Sequence, residues 1–411
     1  MKRAAIAVSV CFGMAPSVAF AFDWSIKASE TETVELNSNQ FLRSSPAGSV
    51  GSYTTLSADA QARTPTSKFN FTGDGSYKKY WGPGVVGTAS EFLNYGFKAR
   101  YEVQEKTKFD REYVEGSWRQ QSTALALLND LGVSVPTSGF IDRLTATGGI
   151  DRSITAVDTV SLLATSSRTS YQPSSGGGTP FTDTFARGNW RRSLSSVTAI
   201  NLSSEYELLE YDNAFNTQVQ IFRDQAGFDT TLSAVLSFRA NAGVAYLVTD
   251  RGVPAFGGGT PATPVSSSVL DWIGDAVLTY RMLKSTTLSV TASQSVGPSI
   301  VGSLFKRDSI TASLSHSINA RSTVSLAASG NRQISTTTTD YASASATYSY
   351  NLTREWATSL TYRYLHRFAS TGTTIFDPIT GTPTVSGTGP ADSHSLMFVV
   401  THNWTVLPSG N

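Results

Sequence analysis

The sequence predicts an all-β fold: a closed antiparallel transmembrane β-barrel of about eighteen strands, or sixteen if two segments are misassigned. Three observations predict it. Apolar and polar residues alternate with period two in segment after segment, the segments repeat, and the connections between them are alternately short and long.

Alternation is clearest in residues 92–104. Leu93, Tyr95, Phe97, Ala99, Tyr101 and Val103 fall on one face; Asn94, Gly96, Lys98, Arg100, Glu102 and Gln104 fall on the other. Successive side chains of a strand point to opposite sides, so such a segment has one greasy and one wet face. Residues 308–319 repeat the pattern, with Ile310, Ala312, Leu314 and Ile318 set against Thr311, Ser313, Ser315 and Ser317, and His316 on the apolar side. Helical periodicity occurs only in Ser122–Gly132, where hydroxyls cap the start and Gly132 ends the run.

The repeat is visible when Ile154–Ala164 (ITAVDTVSLLA) is set beside Ile318–Ala328 (INARSTVSLAA). The unit is a strand, a tight turn, a second strand and a connection of variable length. One hairpin cannot bury its own apolar face, so the copies must pair side by side.

Short turns are expected near 64–67, 105–108, 153–156, 193–196, 239–242, 282–285, 319–322 and 351–354. Longer stretches rich in Gly, Ser and Pro fall near 37–50, 81–91, 122–139, 172–180, 212–227, 252–268, 296–306, 331–339 and 369–391. Short periplasmic turns opposite long extracellular loops are the asymmetry of outer-membrane barrels, and an even strand number returns both termini to the short-turn side.

A soluble β-sandwich or β-solenoid also alternates. Three features count against it. The polar face is long and rich in Ser and Thr; Trp24, Tyr350, Trp356, Tyr364 and Trp404 sit toward strand ends, as interfacial girdles require; and an open sheet of this length would leave unpaired edges. Two places fit the barrel poorly. Residues 197–211 put Glu205, Glu207 and Glu210 on both faces, and His316, His366 and His402 fall on the outward one.

The chain opens with Lys2 and Arg3, a short apolar run from Ala4 to Val10, and Val18-Ala19-Phe20-Ala21, an A-x-A cleavage pattern. The expected organisation is a signal peptide over 1–21, a barrel over 22–406 and a short periplasmic tail over 407–411. A lipid anchor at Cys11 is disfavoured, because Val10 stands where a small residue should precede the modified Cys. Loss of the leader removes the single Cys, so no disulfide follows. It also takes the basic residues from 32 to 30 against 31 acidic, which leaves no excess to hold nucleic acid. A charged fraction of 15% and a mean hydropathy of −0.12 suit a polar lumen inside an apolar wall.

Catalysis finds little support. His316 and His394 each neighbour serines (Ser315 and Ser317, Ser393 and Ser395), but adjacent strand residues face opposite ways and cannot act as base and nucleophile together. His366 and His402 have no such neighbours, and no zinc, calcium or phosphate-cradling spacing occurs. No enzyme activity, cofactor or metal is therefore expected. The lumen is more informative. Alternation places Asp59, Arg63, Asp74, Lys78, Lys98, Arg100, Glu102, Arg143 and Asp151 inward in the first half. The second half's inner wall is mostly Ser and Thr, interspersed with Arg239, Asp271, Asp275, Arg281 and Arg363. Facing rows of opposite charge would set a transverse field that tunes which solutes pass. The plainer alternative is that they pair along the wall and stiffen it. Leu125, Leu127, Leu128 and Leu131, in the helical stretch of the third long loop, are expected to tuck into the mouth as a constriction, since an apolar helix in water is costly. General porins fold their third loop inward; the likeness here is of position only.

The run from Trp24 to Asn37, WSIKASETETVELN, resembles the opening of the β-barrel porin family of proteobacterial outer membranes known as porin-2-like. That opening has a Trp, a short strand and a Glu-Thr pair leading into an Asn; Glu35-Leu36 stands here where an Asp would precede that Asn. The paired-strand repeat over 140–405 is similar to theirs as well. The resemblance implies an outer-membrane barrel with no catalytic residues to carry over, and some members accompany exopolysaccharide secretion loci. The expected function is a passive pore for small hydrophilic solutes or oligosaccharides; the alternative is a non-conducting accessory barrel in exopolysaccharide export or envelope assembly. Expected partners are outer-membrane lipid and lipopolysaccharide, with small solutes or polysaccharide as cargo and self-association left open.

Overall fold

The computed structural model describes residues 23–85, 90–104, 110–123, 139–172, 178–213, 215–251, 265–298, 304–334, 338–369, 374–376, 383–385 and 389–407. The strands are β1 (Asp23–Asn37), β2 (Ser49–Arg63), β3 (Ser67–Trp81), β4 (Glu91–Gln104), β5 (Arg111–Ser122) and β6 (Phe140–Ser153). They continue as β7 (Asp158–Gln172), β8 (Phe181–Ser193), β9 (Thr198–Tyr211), β10 (Gln218–Ser233), β11 (Leu236–Arg251), β12 (Val265–Leu283) and β13 (Thr286–Pro298). The last are β14 (Leu304–Ser317), β15 (Ser322–Ile334), β16 (Thr338–Asn351), β17 (Trp356–Arg367), the short pair β18 (Thr374–Phe376) and β19 (Pro383–Val385), and β20 (Ala391–Leu407).

Eighteen of these form one antiparallel sheet in which each strand pairs with its neighbour, and β20 closes the ring by pairing with both β17 and β1. Closure matters because hydrocarbon offers no partner for a bare N–H or C=O. β18 and β19 form a separate two-stranded sheet in the connection between β17 and β20. The outer face carries Leu56, Val114, Leu144, Leu162, Leu202, Ile310, Leu360 and Phe398, all exposed. So continuous an apolar shell belongs in lipid, and the architecture is that of an outer-membrane β-barrel.

Two predicted connections lie elsewhere. The turn expected at 239–242 is at 234–235, and the loop expected over 212–227 ends at Thr217, where β10 begins. In β10 the extracellular end is apolar on both sides, with Val219 and Ile221 inward and Phe222 outward, which hides the period of two. Pairing with β9 on one side and β11 on the other draws this stretch into the wall regardless. β20 reaches Leu407, so the tail expected from 407 starts one residue later. The leader (1–21), the tail proper (408–411) and the constriction residues Leu125, Leu127, Leu128 and Leu131 lie outside the described residues.

The sequence repeat is a turn device. In the turns 154–157, 194–197, 318–321 and 352–355, one side-chain oxygen accepts from two backbone N–H groups further on. The acceptor is Thr155, Ser195, Asn319 or Thr353, so the hydroxyl or amide stands in for a backbone carbonyl and closes the hairpin.

All five expected girdle aromatics lie on the outer face near a strand end. Trp24, Tyr350, Trp356 and Trp404 are at the short-turn side, and Tyr364 is at the other. Trp356 stacks on His402 with centroids 4.2 Å apart, and Trp404 lies 5.0 Å beyond it. The outward histidines are partnered: His316 Nδ1 meets Thr286 Oγ1 at 2.7 Å, and His366 Nδ1 meets Asp392 at 2.7 Å. Each is the penultimate residue of its strand, where the polar interface begins. Alternation puts Tyr95 and Phe97 on the greasy face, and Trp118 of β5, which it does not single out, joins them there with its ring 5.3 and 5.6 Å from theirs.

Candidate functional site: the lumen and its mouth

The inner face is set by the pairing register. Asp59 and Arg63 on β2, Asp74 and Lys78 on β3, and Lys98, Arg100 and Glu102 on β4 share the inward alternation. Arg143 and Asp151 on β6, Arg239 on β11, Asp275 and Arg281 on β12, and Arg363 on β17 do the same. The register adds Glu115, Arg119, Asp183, Arg187, Glu205, Glu207, Arg223 and Asp229 to this wall. Glu205 and Glu207 face the lumen while Glu210 faces out, so the mixed look of 197–211 reflects charges on both surfaces of one strand.

Many of the charges pair along the wall. Arg100 bonds Glu102 at 2.9 Å and lies 3.5 Å from Glu115; Arg119 meets Asp74 at 2.6 Å and Arg111 meets Asp151 at 2.6 Å. The densest knot joins β8, β9 and β10. Arg223 bridges Glu205 and Glu207, the latter at 2.6 Å, and Arg187 also pairs with Glu205. Both carboxylates are nearly buried, so this knot is held by mutual neutralisation rather than by solvent. The other half of the ring is lined by hydroxyl rungs: Ser293–Ser309 and Ser329–Ser343 at 2.7 Å, and Thr347–Thr361 at 2.9 Å.

Two elements narrow the long-loop end. The first is the connection between β1 and β2. Phe41 packs with Tyr53, Tyr80 and Phe92 on β2, β3 and β4, while Leu42 packs with Tyr341 and Ala391 on β16 and β20, the strands flanking β1 on its other side. A hydrogen-bond chain pins its base: Ser393 Oγ donates to Asn37 Oδ1 (2.9 Å), Asn37 Nδ2 to Glu35 (2.9 Å), and the Asn39 N–H to Asn37 Oδ1 (2.9 Å). Asn39 in turn clasps Arg43 in both directions, at 2.8 and 2.9 Å. Leu42 adopts φ 46°, a left-handed backbone unusual for Leu, which burial of its side chain must compensate. Gly82, with φ +117°, lets the next loop abut this one: a Cβ there would lie 2.8 Å from the Gly48 carbonyl.

The second element is the tip of the β13–β14 hairpin. β12 pairs with β13 only as far as Gly274↔Gln294, so Val265–Ile273 keep β11 as their one ladder partner. Beyond that point β13 leaves the wall with β14. Val296 shares the alternation of the outward residues, yet it is buried against inward Ile273, Leu247, Ile221 and Leu209, with Leu304 beside it. Arg223 donates to the Val296 carbonyl at 2.7 Å, and Lys306 reaches Asp271 at 2.7 Å. The described ends of β13 and β14 are therefore folded inward and latched at two points. Trp272 and Leu270, beside the departing strand, are left 72% and 66% exposed.

The period of two pointed to inward charges but not to these two elements. The one signal in the sequence was the Asn37-Ser-Asn39-Gln40-Phe41-Leu42 run; that β12 outruns β13 is visible only in the structure. Among the described residues no group of three His, Cys, Asp or Glu side chains is arranged to hold a metal ion.

No protein-family model matches the chain, and no curated protein does. Solved structures share the barrel. OccK2 (OpdF) of Pseudomonas aeruginosa is 11% identical, aligns over 94% of this chain and 99% of its own, and has a TM-score of 0.48. OpdQ of the same organism is 10% identical over 94% and 98%, with a TM-score of 0.45. The FrpB iron transporter from Neisseria meningitidis is 8% identical over 94% and 83%, with a TM-score of 0.49. These are likenesses of barrel shape alone.

Proposed function

We propose that the protein is a passive outer-membrane pore for small hydrophilic solutes, reached by export through a cleaved leader. The observation that carries this reading is the inner face. Inside an apolar shell, a continuous wall of ion pairs and hydroxyl rungs keeps water and offers a permeating solute exchangeable hydrogen bonds along the barrel. The two inward elements narrow that path at one end, as a size filter does. Reconstitution of the purified protein into planar bilayers tests the reading: discrete conductance steps are expected, and a protein that inserts but never conducts overturns it.

One observation favours a second reading, a non-conducting accessory barrel for polysaccharide export or envelope assembly. The β1–β2 connection is pinned by Phe41 and Leu42 to the inner faces of the strands flanking β1, which covers part of the mouth as a plug would. Insertion without conductance, together with polysaccharide loss on deletion and unchanged solute uptake, supports that reading instead.

A further inference from the structure

The inner wall is not electrically even. Most of its carboxylates are committed: Asp74, Glu102, Glu115, Asp151, Asp183, Glu205, Glu207, Asp229 and Asp271 each pair with an Arg or Lys. Glu35, Asp59 and Asp275 are each held by an amide, from Asn37, Asn70 and Asn241 at 2.9, 3.2 and 3.0 Å. Inward cations are not all so matched. Among the described residues Lys27, Arg63, Lys68, Lys78, Arg281 and Arg363 have no carboxylate within ion-pair distance, although their register places them on the lumen face.

All but Arg281 fall on one arc, β17, β1, β2 and β3. At the narrowed end of that arc, the register sets Lys78 opposite Tyr53 and Arg363 opposite Ser395, on either side of Glu35, the one acid of that level, which Asn37 already holds. Lys78 stands over the Tyr53 ring at 5.0 Å, and Arg363 is exposed to the lumen. Halfway round the ring, the Glu205–Glu207 knot is neutralised by Arg223 and Arg187. The unbalanced field at the constriction is therefore positive, and low-dielectric walls concentrate it on whatever enters.

We infer that the pore prefers small hydrophilic anions, with Lys78 and Arg363 as the station that meets them at the narrow end. This rests on the pore reading above. A weak, exchangeable pair of cations draws an anion in without trapping it, which conduction requires. The strong pairs elsewhere on the wall are spent on one another.

The test is the zero-current potential of the full chain in planar bilayers under a potassium chloride gradient. A potential of the sign carried by chloride is expected. The double variant Lys78→Gln/Arg363→Gln should lower the chloride-over-potassium permeability ratio roughly fivefold, the size of losing about one ion–ion contact in water. Arg363→Glu should move it further toward potassium. Arg363 is exposed and bonded to nothing on the wall, so Arg363→Gln alone carries the test if the double variant does not fold. Conductance without anion preference, or preference unchanged in Arg363→Gln, overturns the inference and leaves the pore reading standing. Absence of conductance overturns both.

Discussion

Arg223 links three parts of the molecule through one guanidinium: it neutralises Glu205 and Glu207 on β9 and holds the Val296 carbonyl of the β13–β14 tip. Removing one partner of a buried ion pair leaves an uncompensated charge, which costs about 3–5 kcal/mol. Arg223→Gln should therefore lower unfolding stability by that order, read from urea titration of the barrel in detergent. The same variant should enlarge single-channel conductance, because the tip loses an anchor. Unchanged stability would mean that water reaches Glu205 and Glu207 freely. Leu42 poses the opposite case, a strained backbone kept by good packing. Of these residues, Glu205 and Glu207 could not be given a face from the sequence, because 197–211 carries acids on both sides; nor does anything local announce that Arg223 will span them, which needs the register of β9 against β10.

Among elements, the hairpins divide into those whose turns are set by local chemistry and one whose tip is set by tertiary contacts. Thr155, Ser195, Asn319 and Thr353 each satisfy two N–H groups within four residues, so the sequence alone specifies these turns. Thr155→Ala and Asn319→Ala should each cost about 0.5–1.5 kcal/mol. The turns are separate, so the two losses should add in the double variant. A double variant as stable as the parent would assign turn closure to the strands instead. The β13–β14 tip behaves differently. Its latch is Lys306 to Asp271, supplied by different strands, and Lys306→Ala should widen or destabilise the constriction, seen as larger or flickering current steps. Identical traces from parent and variant would show that the tip does not limit the path.

At the scale of the whole molecule, closure depends on β20, which pairs along its length with β17 and with β1. Deleting Ala391–Leu407 would bare two strand edges that hydrocarbon cannot satisfy, so the truncated chain should fail to insert into lipid vesicles. Insertion of that truncation would mean that β17 and β1 can meet directly. The intact protein should stay in the membrane pellet through carbonate washing and leave it only with detergent; release without detergent would remove the lipid-facing interpretation of Leu56, Leu144, Ile310 and Phe398.

What the sequence determined by itself is local. Period-two alternation assigns each side chain a face, so Asp59, Lys98, Arg143 and Arg363 could be placed on the inner wall before any strand was paired. The short turns are local for the same reason, since each is closed by a side-chain oxygen within a few residues. Only the tertiary structure decided what lies inside the ring. Whether Phe41 and Leu42 fold over the mouth, which lumen charges meet a partner, and where β13 leaves β12 all depend on residues distant in the chain but adjacent across the barrel. Alternation says which way a side chain points; closure of the sheet says what it finds there.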